Sequence, residues 1–288
     1  MNLKQSKLYA ESWNVAYRFK PTGSILTDKE TPFCIIPNSY KFWAADPFVF
    51  DYKNDIYVFA ELYDYKLRRG VIGYSKLNGN KFGEWIPVIC ESYHMSYPFI
   101  FEHNGDIYMI PETSGANALI LYKAVDFPVE WEKEQIIKDN VKWVDTTLFK
   151  RANGFVAFTE SIGKIEDLKL QLNDSLDIIS SEIIDCETNK FRCGGRMFEY
   201  DDKLVRVCQD CSEKYGGALY FRFCDKNSLS ELTSQHITPE ELSFDTSVYL
   251  DGIHTYNSLT NIEVIDIKTR RLNLINFIYR FAGKIKKI

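Results

Sequence analysis

One layout recurs along this chain at a nearly constant interval. Ala45–Glu61 reads ADPFVFDYKNDIYVFAE, Ser96–Thr113 reads SYPFIFEHNGDIYMIPET, and Asp145–Glu160 reads DTTLFKRANGFVAFTE. Each copy opens on a short polar or acidic group. A β-rich run ending in Phe follows, then a turn containing Asn, then a second β-rich run closing in Glu. A looser copy, GGRMFEYDDKLVRVCQD, spans Gly194–Asp210. Phe50, Phe101, Phe149 and Phe198 lie 51, 48 and 49 residues apart, and Glu61, Glu112 and Glu160 lie 51 and 48 apart. A steady period of this length with two or more strands per unit is the signature of a β-propeller whose blades each have four strands. The third and fourth strands of the first blade fall at RGVIGYSKL and WIPVICE, and a fifth unit at DGIHTYNSLTNIEVIDI, Asp251–Ile267. The alternative, a β-sandwich, requires the constant offsets to be accidental. The expected fold class is all-β, a five-bladed propeller over residues 1–267. Aromatics at 15%, with 20 Phe and 18 Tyr, favour strands.

The last 21 residues differ. From Lys268 to Ile288 there are seven Lys or Arg and no Asp or Glu, and Leu272, Ile275, Ile278 and Ala282 recur at helical spacing. Residues 268–288 therefore read as a short basic amphipathic C-terminal helix. Either its charges are simply solvated while it packs on the propeller, or it rests on an anionic membrane surface through Arg271–Ile288. The net charge of −5 supplies no basic field for nucleic acid. No apolar leader and no run of about 18 apolar residues occurs, and the seven cysteines are scattered. These features imply reduced thiols in a cytoplasm.

Propeller symmetry brings the starts of the innermost strands together at one mouth. Counting along the copies places Asp46, Tyr97, Asp145, Arg196 and His254 there. The closing glutamates, Glu61, Glu112 and Glu160, point either to the same end or into blade packing, and Glu61 and Glu160 read as packing. Paired carboxylates suit glycosyl chemistry, where one acts as base or nucleophile and another faces an oxocarbenium-like transition state. Arg192, Arg196, His94 and His254 would bind phosphate oxygens, or each Arg would pair with a funnel carboxylate. Cys208 and Cys211 form one C-x-x-C without a second pair, so no metal is expected.

The segments ADPFVF, HMSYPFIFEHNGDIYMIPETS, VDTTLF, QDCSEKYG and GIHTYN, between about Trp43 and Asn257, resemble the N-terminal domain family of glucosamine inositolphosphorylceramide transferase. The resemblance implies a five-bladed propeller similar to glycoside hydrolase families 43 and 32. It implies catalytic work for Asp46, at the start of the first blade, and a second carboxylate at Asp145. The hydrolases' acid Glu has no clear counterpart, and the fourth blade offers Arg192, Arg196, Gln209 and Asp210 instead. Bacterial members occur beside surface-polysaccharide genes. In the plant protein a separate C-terminal domain, outside the matched stretch, resembles the glycosyltransferase.

The expectation is thus a glycosyltransferase of bacterial surface polysaccharide biosynthesis at the inner membrane face. It would move a sugar from a phosphate-activated donor to a glycan or lipid-linked acceptor, without a cofactor. Asp46, Asp145 and Glu112 are the expected catalytic residues, and His94, Tyr97, Arg192, Arg196, Gln209, Asp210 and His254 the expected substrate contacts. A furanosidase-like glycosidase and a non-catalytic glycan-binding propeller are the alternatives. If the basic tail binds membranes, removing it should release the protein from anionic liposomes, and unchanged co-sedimentation would overturn that role.

Overall fold

The computed structural model describes residues 9–20, 24–162, 166–185, 192–246 and 250–272. They form five antiparallel sheets arranged as the blades of a propeller. The first blade comprises Phe42–Tyr52, Asp55–Asp64 and Arg69–Asn78, with Lys81–Phe82 and Ile86–Ile89 at its outer edge. The second comprises Ser96–His103, Asp106–Glu112, Ala118–Asp126 and Glu130–Asp139, and the third Trp143–Arg151, Gly154–Ser161, Glu166–Leu172 and Ile178–Asp185. The fourth comprises Phe198–Tyr200, Lys203–Asp210, Ala218–Cys224 and Glu231–Ile237.

The asparagines in the repeated turns have a backbone cause. Lys53 and Asn54, Asn104 and Gly105, and Asp201 and Asp202 all have positive φ. Two consecutive left-handed residues are what a type I′ hairpin turn requires.

A second irregularity recurs at the other end of each hairpin. The register runs Ala45↔Glu61 and then Phe48↔Phe59, Ser96↔Glu112 and then Phe99↔Ile110, Val144↔Glu160 and then Thr147↔Phe158. Each first strand carries one extra residue at the same point, a β-bulge. Its first residue is left-handed: Asp46 at φ 52°, Tyr97 at 45° and Asp145 at 50°. Such a conformation is costly for a residue with a Cβ, and a bulge of this kind re-aims the side chain it carries.

The fifth blade closes the ring with both ends of the chain. Its inner strand is split into Leu250–Gly252 and Tyr256–Ser258, and its second strand is Ile262–Leu272. The third and fourth strands are Tyr9–Phe19 and Cys34–Ile35, from the N-terminal side. The repeat pattern did not reveal this contribution, because the two N-terminal strands have no hairpin of the repeated kind. Tyr9–Phe19 pairs with the second strand without a break, from Tyr9↔Leu272 to Phe19↔Ile262. The helical reading of 268–272 is therefore corrected: these residues extend a strand. The rest of that expected helix, 273–288, lies outside the described residues.

Apolar side chains fill the spaces between blades. Val15 and Val264 of the fifth blade pack in one cluster with Ala44 and Val58 of the first. Val15 is fully buried. Val15→Ala is expected to cost about 2 kcal/mol by lost burial and a residual cavity. Val15→Asp should abolish the cooperative thermal transition, since an unpaired buried charge is far costlier. An unchanged melting curve for both variants would show that this strand does not close the ring.

Candidate active site

The bulges converge on one mouth of the central channel and line a funnel with acidic groups. Asp46 lies deepest in hydrogen bonds. Its Oδ1 accepts from the Thr255 hydroxyl at 2.9 Å and its Oδ2 from the Tyr97 backbone N–H at 3.2 Å. Its own N–H donates to Asp266 Oδ2 at 3.0 Å. Only 5% of Asp46 is exposed. Burial pushes its carboxyl up to about 7, with His254 opposing the shift and Asp145 and Asp266 adding to it.

His254 stands beside it, with Nε2 3.8 Å from Asp46 Oδ1 and Nδ1 2.5 Å from Asp266 Oδ2. The ring is stacked on Trp13 at a centroid distance of 4.0 Å, so the N-terminal strand contributes directly to the site. Burial opposes the imidazolium, but Asp266 and Asp46 outweigh it and raise the histidine above its ordinary value.

Asp145 organises the opposite wall. Its Oδ2 accepts from Arg192 Nε and from Gln209 Nε2, both at 2.6 Å. Gln209 also donates to the Cys193 carbonyl at 2.7 Å. By sequence register Gln209 occupies in the fourth blade the place that Glu61, Glu112 and Glu160 hold in the first three. Glu112 accepts from Ser96 and Ser114 at 3.1 and 2.6 Å, and Arg192 Nη2 lies 3.9 Å away. Burial raises Glu112, Asp145 adds to the rise, and Arg192 partly offsets it.

Glu61, expected in blade packing, lies close enough to the other carboxyls to feel their charge and has His94 Nε2 3.6 Å from its Oε1. Burial raises it well above the usual carboxylate range, and Asp46, Glu112, Asp266 and Asp145 all push the same way. Glu160 is raised by burial as well, against the pull of Arg192. Glu61 Oε1 and Asp145 Oδ1 are buried and accept no hydrogen bond from the described residues. Buried oxygens of this kind are commonly satisfied by an ordered water or a bound group.

Other expected contacts fall elsewhere. The Tyr97 phenol is fully buried; it bonds to Thr147 Oγ1 and accepts from the Gly195 N–H, both at 2.7 Å. It bolts the second, third and fourth blades together beneath the funnel rather than facing a substrate. Gly195 has φ 144°, and a Cβ there would meet the Tyr256 carbonyl at 1.8 Å, so no other residue permits this contact. Arg196 sits one bulge step further down the channel, because Gly194, not Arg196, matches Asp46 in the repeat. Its guanidinium donates to the Val49 and Ile100 carbonyls at 3.2 and 2.6 Å. Asp210 turns outward, accepting from Ser212 and lying 3.1 Å from His236. His94 is at the rim, its Nδ1 accepting from Gly70 N–H at 2.9 Å and its Nε2 3.6 Å from Glu61.

Asp46, His254 and Asp266 offer ligand atoms within 4.8 Å of one another. Protons already satisfy that trio, however. Asp266 Oδ1 accepts from the N–H groups of His254 and Thr255, and Oδ2 from Asp46 N–H while facing His254 Nδ1. The arrangement fits a hydrogen-bonded relay better than a metal cage.

Among solved structures, the GH62 α-L-arabinofuranosidase catalytic domain of Coprinopsis cinerea superposes with a TM-score of 0.56 at 11% identity, covering 88% of this chain and 97% of that one. A β-xylosidase, RS223, superposes with a TM-score of 0.58 at 8% identity, covering 79% and 93%. These likenesses concern the fold. In sequence, the chain is 29% identical over 234 residues to glucosamine inositolphosphorylceramide transferase 1 of Arabidopsis thaliana, covering 75% of this chain and 29% of the relative. The protein of the same name from Oryza sativa subsp. indica is 29% identical over 187 residues, covering 60% and 25%. The chain thus spans under a third of the length of these relatives. Residues 34–269, which include every funnel residue but Trp13, match the family model described as glucosamine inositolphosphorylceramide transferase 1, N-terminal, and the chain belongs to that family.

Proposed function

We propose that the funnel binds a sugar and transfers its glycosyl group, with Asp46 as general base. The observation that carries this reading is the setting of Asp46: a buried carboxyl poised at about 7, held by Thr255 and Tyr97 and flanked by the His254–Asp266 pair. A base is most effective when its pKa lies near the working pH. As the acceptor oxygen bonds to the anomeric carbon, its proton passes to Asp46 while the bond to the leaving group breaks. Asp145, oriented by Arg192 and Gln209, is the second carboxylate, facing the positive charge that develops on the ring. Glu112, raised by burial, holds a proton for the leaving oxygen.

The transferase names of the curated relatives support transfer over other glycan chemistry. A phosphate-activated donor would meet Arg192, whose side chain keeps 19% exposure. His254 and Arg196 do not serve it, since one is locked between carboxylates and the other lies below the funnel. The acceptor in this reading is a glycan or lipid-linked glycan of surface-polysaccharide assembly. The basic residues beyond the propeller would bring the mouth to an anionic membrane. Hydrolysis is the second reading, favoured by the pairing of a raised Glu112 with nearby Asp145, an acid and a base on one ring.

Mass-spectrometric detection of product from activated sugars with and without acceptor separates the readings. Transfer needs the acceptor, hydrolysis does not, and a binding module gives neither. Asp46→Asn is expected to lower turnover by roughly 10²–10⁴-fold with little change in folding. Wild-type turnover by that variant would remove Asp46 from the mechanism.

The rate should rise with pH through about 7, as Asp46 loses its proton, and that limb should vanish in any residual activity of Asp46→Asn. Stability should move the other way. The folded state binds the Asp46 proton more tightly than the unfolded chain, so this group's contribution falls as pH climbs from the ordinary carboxylate range through about 7. Denaturant titrations at pH 5 and 8 on both proteins check the sign. The Asp46→Asn variant should lose less stability over that range.

A further inference from the structure

Arg196 marks a second site at the opposite end of the channel. A pocket of about 490 Å³ opens there between the inner strands of the second and third blades and the segment that enters the fourth, Arg196–Met197. Its walls are mostly apolar, formed by Phe99, Phe101, Leu148, Phe149, Phe155 and Met197, with His103 and Asn104 at one side. Its volume falls in the range of small-molecule sites, about 300–1,000 Å³. At its inner end stands the Arg196 guanidinium, which also contacts the faces of Phe48 and Phe99 at 6.0 and 5.8 Å.

This cation is unusual in its surroundings. Among the described residues it has carbonyl partners only, Val49 and Ile100, and no carboxylate within ion-pair distance. Arg192, by contrast, has Asp145 and Glu112. Two of the five guanidinium N–H donors satisfy the carbonyls, leaving others for a ligand. Burial pulls Arg196 down to about 10, which reflects a charge without a counter-charge. Lys150 adds a second cation to the lining, tethered to Asp174 at 2.5 Å, and Glu102 stands exposed at the rim.

We propose that this pocket binds a small anion bearing an aromatic or similarly flat apolar group. The anionic end would take the free guanidinium donors and the apolar body would fill the phenylalanine-lined space. This site is separate from the acidic funnel, and the Tyr97–Thr147–Gly195 layer lies between them.

The test uses the full chain, isotope-labelled, titrated with phenyl phosphate, inorganic phosphate and benzyl alcohol, followed by amide NMR shifts and calorimetry. Phenyl phosphate should bind at a single site, shifting amides of 101–104 and 148–150 while leaving those around Asp46 and Thr255 unmoved. Inorganic phosphate and benzyl alcohol should each bind at least tenfold more weakly, and Arg196→Gln should weaken phenyl phosphate by a similar factor. Because Arg196 also braces two carbonyls, that variant could unfold; the wild-type mapping then decides alone. Absence of shifts at millimolar ligand, shifts confined to the funnel, or equal binding of benzyl alcohol would each overturn the proposal.

Discussion

The Asp266 carboxylate is the interaction on which the rest of the molecule turns. It accepts from the backbone N–H groups of Asp46, His254 and Thr255 and faces the His254 imidazole. Asp46 belongs to the first blade and the other three to the last, so one buried side chain ties the beginning and end of the ring. Backbone donors at a bulge have lost their ladder partners and would be orphaned if buried without a substitute. Asp266 supplies that substitute. The geometry of the base and the closure of the propeller are therefore one problem with one solution, and neither can be altered alone.

The funnel concentrates carboxylates where water is scarce. Each buried cation near them is already engaged, Arg192 by Asp145 and Glu112, His254 by Asp266 and Asp46. What remains unsatisfied is acceptor capacity, on Glu61 and Asp145. Like charges this close cannot all ionise, so protons are shared among them. The unsatisfied acceptors suit the hydroxyls of a sugar ring, and the exposed edge of Arg192 is the part of the site open to a donor's phosphate. The funnel also sets carboxyls raised by burial, Glu61 and Glu112, beside a carboxylate bound by a guanidinium, Asp145, and unequal carboxyls of this kind are what glycosyl chemistry draws on.

Much of this was legible in the chain. The 51-, 48- and 49-residue spacings gave the blades, and the same count put Asp46 and Asp145 at equivalent points, where the bulges proved to be. The register also contained Glu61 and Glu160 beside Glu112, but a strand-closing Glu reads equally well as packing until the direction of its side chain is known. Arg196 was misplaced because the looser fourth copy hides its phase; counting back from Phe198 gives Gly194. Asp266 and Trp13 were beyond reach. Each acts through a partner more than 200 residues away in sequence, Asp46 for one and His254 for the other, and no local pattern encodes a ring closure.

The closing blade has one further meaning. Its second strand climbs from Ile262 past Asp266 to Leu272, so Leu272 lies about 20 Å beyond Asp266 on the funnel side, and Tyr9 is its hydrogen-bonded neighbour. Both described ends of the propeller thus stand together above the funnel, away from the Arg196 pocket. A joint made between them would leave all five blades intact, making this edge the natural seam for circular permutation. A tether attached at the same edge would hold its cargo over the mouth, turning the search for a substrate into a local encounter at high effective concentration.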